Sequence, residues 1–269
     1  MFYNAKGSTV KAEGLTMDYV VFGRGQKPLV IIPGLSDGLM TVKGRAIVLA
    51  LYYRQFAQKF KVYVFSRKYE LEKGYTIRDM AKDQKAAMEK LGIESAYVMG
   101  LSQGGMISQY LAIDYPEVVE KLIIGVSISK KNEIVHNTVC RWIKMAETND
   151  YRALVIDTME NTYTPETLKK YRPVYPVISR IGKPKDFSRF IIQANACINH
   201  HAYNELEKIK CPTLVIGGDS DKVVGKSASE EMAERISGSK LIVYEGLGHG
   251  AYEEVKDFNR QVMDFLLNS

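Results

Sequence analysis

One pentapeptide in this 269-residue chain sets a potential nucleophile among the glycines it needs: Gly100-Leu101-Ser102-Gln103-Gly104. A serine on a very tight turn must hold a strained backbone. Side chains two residues before and after it would crowd that turn, and glycine at both places removes them. A serine hydroxyl is a poor nucleophile near neutral pH and needs a general base, for which imidazole has a suitable pKa. There are four histidines. His249 lies in Glu245-Gly-Leu-Gly-His249-Gly, a flexible stretch just after a strand-like run. The imidazole needs an orienting carboxylate, and Gly218-Asp219-Ser220-Asp221 offers two. Asp221 comes later in its loop and has more reach toward a neighbouring loop. Asp219 is closer to the preceding strand and is placed to brace the turn. The chain order Ser, Asp, His is the one found where a serine follows a strand and opens a helix.

These side chains meet only if the elements carrying them share one edge of a sheet. The runs 29–32, 61–65, 96–99, 121–128, 213–217 and 240–244 are short, apolar and bounded by glycine, proline or polar residues, as buried strands are. Residues 10–13 and 16–22, ending in Gly23-Arg-Gly, read as a β-hairpin. Between them, residues 43–58, 76–91, 103–114, 226–236 and 254–267 repeat apolar positions at helical spacing. Strands alternating with helices, without clean polar alternation in the strands, predict an α/β fold: a mostly parallel sheet flanked by helices on both faces. Ser102 then projects above the carboxyl edge of the sheet, at a helix N-terminus whose free N–H groups and partial positive charge favour a developing oxyanion. One donor to that oxyanion is the backbone N–H of Gln103, and a second must come from the loop after strand 29–32.

The stretch from about 130 to 210 breaks the alternation. Its helical runs, 139–147, 151–159, 165–172 and 186–198, are interrupted by Pro165, Pro173, Pro176 and Pro184. It reads as a helical cap over 131–206 inserted into a core made of 1–130 and 207–269. Trp142, Met145, Met159, Tyr163, Tyr171, Tyr175 and Phe190 would form the interior of this cap, some of them facing a substrate pocket.

On these residues the chain resembles the α/β-hydrolase superfamily, in its single-domain esterase and C–C hydrolase-like branch with a helical cap. The resemblance runs from about residue 15 to the C-terminus. Gly218-Asp-Ser-Asp221 satisfies that family's G-x-x-D, and Gly246-Leu-Gly-His249 its G-x-G-H. Tyr115-Pro-Glu117 is similar to the tripeptide that closes the nucleophile helix. The resemblance implies a catalytic triad of Ser102, Asp221 and His249, and the N–H of Leu35 as the second oxyanion donor. Two positions depart from the pattern. Pro33-Gly34 stands where the family usually has His-Gly, which bears on the shape of the oxyanion loop, and Gly225 replaces a proline often found after the acid loop. The implied reaction is hydrolysis of a small or medium carboxylic ester or thioester. The alternatives are C–C bond hydrolysis or a lyase step with the same trio, and a ligand-binding receptor of the same fold. Haloalkane chemistry would want an aspartate at position 102.

Composition narrows the partners. The chain is 46% hydrophobic and 25% charged, a normal globular balance. The formal net charge is +6, but basic residues are interspersed with acidic ones, as in Lys82-Asp-Gln-Lys85, and form no long runs. That argues for a solvated basic surface and a small-molecule substrate, without nucleic acid or membrane as partner. His200-His201 are adjacent, so on a helix they point apart, and no acidic or cysteine spacing accompanies them. No metal and no cofactor are expected. Cys140, Cys197 and Cys211 are odd in number and far apart, and no leader-like segment is evident at the N-terminus, so reduced thiols and a cytoplasmic location are expected. Nothing in the sequence addresses oligomeric state.

Overall fold

The computed structural model describes residues 2–268. Among them are eight strands: β1 (Lys6–Ala12), β2 (Leu15–Phe22), β3 (Pro28–Ile32), β4 (Lys61–Lys68), β5 (Ala96–Leu101), β6 (Val119–Gly125), β7 (Thr213–Gly218) and β8 (Lys240–Tyr244). They form one sheet in the order β1-β2-β4-β3-β5-β6-β7-β8. β2 is antiparallel to β1 and β4, and every other pair is parallel. The helices in chain order are α1 (Ala46–Tyr52), α2 (Arg54–Ala57), α3 (Ile77–Lys90), α4 (Gln103–Asp114), α5 (Glu133–Glu147), α6 (Tyr151–Thr162), α7 (Pro165–Tyr171), α8 (Tyr175–Ile178), α9 (Ser188–Ile198), α10 (Ala228–Arg235), α11 (Ala251–Glu254) and α12 (Phe258–Asn268).

The unbroken apolar strands follow from helices covering both faces. Side chains alternate across a strand. Val30 and Ile32 of β3 pack with Met80 of α3 and Ile107 of α4 in one apolar layer. Leu29 and Ile31 pack with Phe56 of α2 and Phe265 of α12 in the other. Burying such a side chain stabilises by roughly 1.5–3 kcal/mol, so a polar residue at any of these β3 positions would cost stability whichever way it faced. The α/β architecture expected from the sequence is the one observed.

Several boundaries differ from the sequence reading, each for a local reason. Residues 43–58 form two helices, because Tyr53 leaves helical geometry at φ −93°, ψ 25° and sends its ring into the core beside Phe56. Residues 254–267 divide in the same way: Val255 is extended at φ −97°, ψ 117°, separating α11 from α12. β1 begins at Lys6 rather than Val10, since its mostly exposed side chains carry no apolar signal and its strand character comes from pairing, Lys6 with Val21 through Ala12 with Leu15. β6 ends at Gly125 because Val126 adopts φ 44°.

Between β6 and β7 the chain is helical, from α5 to α9 and a 3-10 turn over Tyr203–Lys208. α5 starts at Glu133, six residues before the reading of the sequence, where the Asn132 side chain accepts from the Val135 N–H at 2.8 Å. α8 appears despite the prolines, with Pro176 at its first turn, where a missing N–H costs nothing. The two ends of this segment close on each other: Ser129 O accepts from Ala202 N at 2.7 Å and Tyr203 N at 3.1 Å, and Lys130 bridges His201. His200, 3% exposed, packs at this junction edge-on to Tyr110, with Nε2 3.2 Å from Gln109 Oε1.

Two predictions follow from this packing. A Cβ at position 104 would sit 1.8 Å from the carbonyl oxygen of Ile32, a backbone atom that cannot move aside. Gly104→Ala should therefore cost about 3 kcal/mol or more, or prevent folding, as read by urea unfolding. Burial, with a smaller contribution from His201, pushes the His200 pKa from 6.5 down to about 3. Between those values the unfolded chain binds the proton and the folded one does not, so His200 costs the fold stability as pH falls through that window. His200→Phe should flatten the dependence of unfolding free energy on pH below 6.5; an unchanged slope would show that His200 contributes nothing to it.

Candidate active site

The tight turn between β5 and α4 holds Ser102 at φ 54°, ψ −119°, a left-handed conformation for a residue with a side chain. Glycine is required on either side. A Cβ at Gly100 would meet the Gly104 carbonyl oxygen at 2.2 Å, and Gly104 itself presses on the end of β3. Hydrogen bonds hold the turn in place: Ser102 N–H donates to Gly125 O at 2.9 Å, and Ser127 Oγ donates to Ser102 O at 2.8 Å. The second bond is made possible by Val126, whose positive φ swings Ser127 toward the turn.

His249 and Asp221 come from the loops after β8 and β7. Their strands pair in parallel as far as Gly218 with Tyr244, so both loops leave the sheet at the same level. Ser220 N–H donates to Leu247 O at 2.9 Å, and a Cβ at Gly218 would collide with that carbonyl at 2.1 Å, so the loops lie directly on each other. Asp221 Oδ1 accepts from the N–H groups of Val223 and Val224 at 2.7 and 2.9 Å, which fixes the carboxylate and leaves Oδ2 facing His249 Nδ1 at 2.8 Å. A carboxylate only accepts, so Nδ1 carries the proton and Nε2 presents its lone pair. Nε2 lies 2.9 Å from Ser102 Oγ. His249 is 6% and Asp221 5% exposed, which shields the chain of hydrogen bonds from competing water.

The two aspartates are thus separated by geometry. Asp219 does not reach the imidazole; its Oδ1 accepts from Gly246 N–H at 2.8 Å and from Ser220 Oγ at 2.9 Å, bracing the loop that carries His249. Gln103 and Leu35 flank Ser102 as well. Neither backbone N–H donates to another backbone group among the described residues. Leu35 follows Gly34, where a Cβ would stand 3.2 Å from that of Ser102. The three cysteines are unpaired with one another, Cys140 exposed and Cys197 buried.

The serine opens into a cavity of about 290 Å³. Of the aromatic and methionine side chains expected to form the interior of the inserted segment, Trp142 is the one that lines it. Phe190 instead packs on Gly38, and Tyr175 is buried with its hydroxyl on Glu160 Oε1 at 2.9 Å. The other aromatic walls come from parts of the chain the sequence did not single out: Tyr52 and Tyr53 at the end of α1, and Tyr252 beside His249. Burial, with Glu253 adding to it, pushes the phenol pKa values of Tyr53 and Tyr252 up, so both stay neutral hydroxyls. For Tyr52 and Tyr53 the available signal was their adjacency inside an apolar helical run, and for Tyr252 its nearness to His249 in the chain. A larger cavity of about 880 Å³, between α9 and the start of α3, includes neither Ser102 nor His249. None of the helices among the described residues is long and apolar enough to cross a membrane.

Known proteins agree with this architecture. The chain is 26% identical over 193 residues, 69% of its length and 68% of the relative's, to a 2-hydroxy-6-oxononadienedioate/2-hydroxy-6-oxononatrienedioate hydrolase of Pseudomonas sp. It is 23% identical over 265 residues, 94% of both proteins, to 3-oxoadipate enol-lactonase 2 of Acinetobacter baylyi. An alpha/beta hydrolase enzyme from a Medee basin deep-sea metagenome library has a similar structure, with a TM-score of 0.84 and 20% identity over 97% of this chain and 98% of that one. A family model of the alpha/beta hydrolase fold matches residues 22–255, most of the sheet and everything that surrounds Ser102, and the chain belongs to that family of hydrolases.

Proposed function

We propose that this hydrolase cleaves a small or medium carboxylic ester or thioester through an acyl-enzyme on Ser102. The observation that carries this reading is the continuous relay from Ser102 Oγ to His249 Nε2 at 2.9 Å and from His249 Nδ1 to Asp221 Oδ2 at 2.8 Å. His249 takes the Ser102 proton as the oxygen attacks the substrate carbonyl. The oxygen that gains charge turns toward the N–H groups of Gln103 and Leu35, at the positive end of α4. His249, now protonated and steadied by Asp221, gives its proton to the departing alcohol or thiol. Water then enters, His249 deprotonates it, and attack on the acyl-enzyme releases the acid and restores Ser102. A cavity of about 290 Å³ suits a compact substrate, and its aromatic and aliphatic walls suit an apolar one.

The name of one relative, which specifies a hydroxy-oxo-dienedioate, supports a second reading, whereas an enol-lactone is a cyclic ester and accords with the first. Hydrolysis of a C–C bond next to a ketone would use the same relay, with a carbanion equivalent leaving in place of an alkoxide. A receptor that only binds its ligand would have no need of an intact relay.

Three measurements test the proposal. A fluorophosphonate should label Ser102, and Ser102→Ala should abolish both labelling and turnover of p-nitrophenyl acetate; robust turnover by the alanine variant would exclude Ser102 as the nucleophile. Asp221→Asn should lower kcat by about 10⁴-fold, by favouring the wrong imidazole tautomer, and Asp219→Asn by far less. The reverse order would exchange their roles. A panel of acyl chain lengths run beside a 2-hydroxy-6-oxo-dienoate should show the larger kcat/KM on the esters, and preference for the dienoate would select the second reading.

A further inference from the structure

A buried polar cluster that the relay does not use lies behind the Ser102 turn. At its centre is Arg67, near the end of β4, with no exposed surface. Its Nη2 donates to the carbonyl of Pro33 and to Gln103 Oε1 at 2.9 Å, and lies 3.5 Å from the carbonyl of Gly34. The Gly34 carbonyl shares its peptide unit with the Leu35 N–H, the Pro33 carbonyl lies one unit earlier, and Gln103 is the residue after Ser102. One nitrogen therefore holds both segments whose amides are proposed to face the substrate carbonyl.

We infer that Arg67 is a positioning residue for the oxyanion hole, acting through the Pro33-Gly34 carbonyls and the Gln103 side chain; the inference rests on the Ser102 reading above. The peptide unit explains the connection. The Gly34 carbonyl and the Leu35 N–H belong to one planar trans unit and point opposite ways. The Gly34 carbonyl accepts from the Asp37 N–H at 3.2 Å and faces Arg67, so the Leu35 N–H points away from Arg67, on a loop whose Gly34 lies against Ser102. Gln103 is fixed just as firmly. It is 1% exposed, and its Nε2 donates to Gln193 O at 3.0 Å and Cys197 Sγ at 3.1 Å.

Arg67 is in turn anchored to α9. Its backbone N–H donates to Asp37 Oδ2 at 3.1 Å, which also accepts from Arg189 Nη2 at 2.7 Å, and Arg189 Nη2 donates to Arg67 O at 2.9 Å. Arg189, Gln193 and Cys197 are spaced by four residues and so share one face of α9. Stability alone is a poor account of this arginine. Its Nε and Nη1 have no hydrogen-bond partner among the described residues, and burial pulls its pKa down against the opposing effect of Asp37. An apolar side chain would fill the space at lower desolvation cost. It could not hold two loop carbonyls and an amide together.

The test compares Arg67→Lys and Gln103→Met with the wild type, using a p-nitrophenyl ester, phenylboronic acid and a fluorophosphonate. Lysine reaches one acceptor but not the set, and methionine removes the clamped amide while keeping the Gln103 backbone N–H. Both variants should lower kcat about ten- to a hundredfold, with KM changed less than about threefold, as expected when an interaction made only in the transition state weakens. Affinity for phenylboronic acid, whose tetrahedral adduct on Ser102 places an oxygen in the hole, should fall in parallel. Variants that are folded by circular dichroism and keep wild-type kcat and boronate affinity overturn the inference, and if Arg67→Lys does not fold, Gln103→Met alone decides. Loss of kcat and a rise in KM with unchanged boronate affinity overturns it too, showing a structural role only. A wild-type protein that neither reacts with the fluorophosphonate nor turns over ester removes the Ser102 reading itself, and the inference with it; that outcome is separate because it appears before any variant is made.

Discussion

The chain passes from β5 into α4 with no connecting loop, and the rest of the site depends on that abrupt turn. Ser102 takes the strain, at φ 54°, and the glycines at 100 and 104 make room for it. The contact between Gly104 and the Ile32 carbonyl also ties the turn to β3. The loop that continues from β3 is thereby brought beside Ser102, with Gly34 against its side chain. One conformational constraint thus sets the position of the hydroxyl, the helix N-terminus behind it and the loop opposite.

The sheet supplies the remaining alignment. Parallel pairing from β3 to β8 places the carboxyl ends of the strands along one edge, so loops distant in sequence emerge together. Ser102 and His249 are separated by 147 positions yet share a hydrogen bond of 2.9 Å. The inserted helices are joined to this edge too. Gly250 N–H donates to Thr162 O at 2.8 Å, linking the end of α6 to the residue after His249. Glu254 accepts from the Thr164 N–H at 3.2 Å and from its hydroxyl at 2.5 Å, a second link a few residues on. A shift of these helices would be felt at the imidazole.

Two kinds of interior lie under the site. The apolar layers on the sheet faces stabilise through area removed from water and tolerate exchange among residues of similar volume. The cluster of Asp37, Arg67, Gln103, Arg189 and Gln193 is held by directional bonds, and each member left without a partner would be costly. Residues of the second kind have little freedom to change one at a time.

The sequence by itself determined the order of strands and helices and the groups able to do chemistry. Periodicity is a local property, and the glycine pattern around Ser102 reflects a clash between residues close in the chain. Order within the loop already favoured Asp221 over Asp219, but not the contacts that separate them. Only folding shows that Asp219 turns back to Gly246 while the amides of Val223 and Val224 aim Asp221 at His249. The breaks at Tyr53 and Val255 were hidden because the core pulls those side chains inward without changing the apolar spacing. The cavity walls were not legible for a related reason: an aromatic residue can face a pocket or a core with the same sequence signature, so Phe190 packs on Gly38 while Tyr52, Tyr53 and Tyr252 line the cavity. Arg67 carried no signal at all. A lone arginine at the end of a strand acquires its meaning only when tertiary packing buries it between a loop carbonyl and a glutamine 36 residues away.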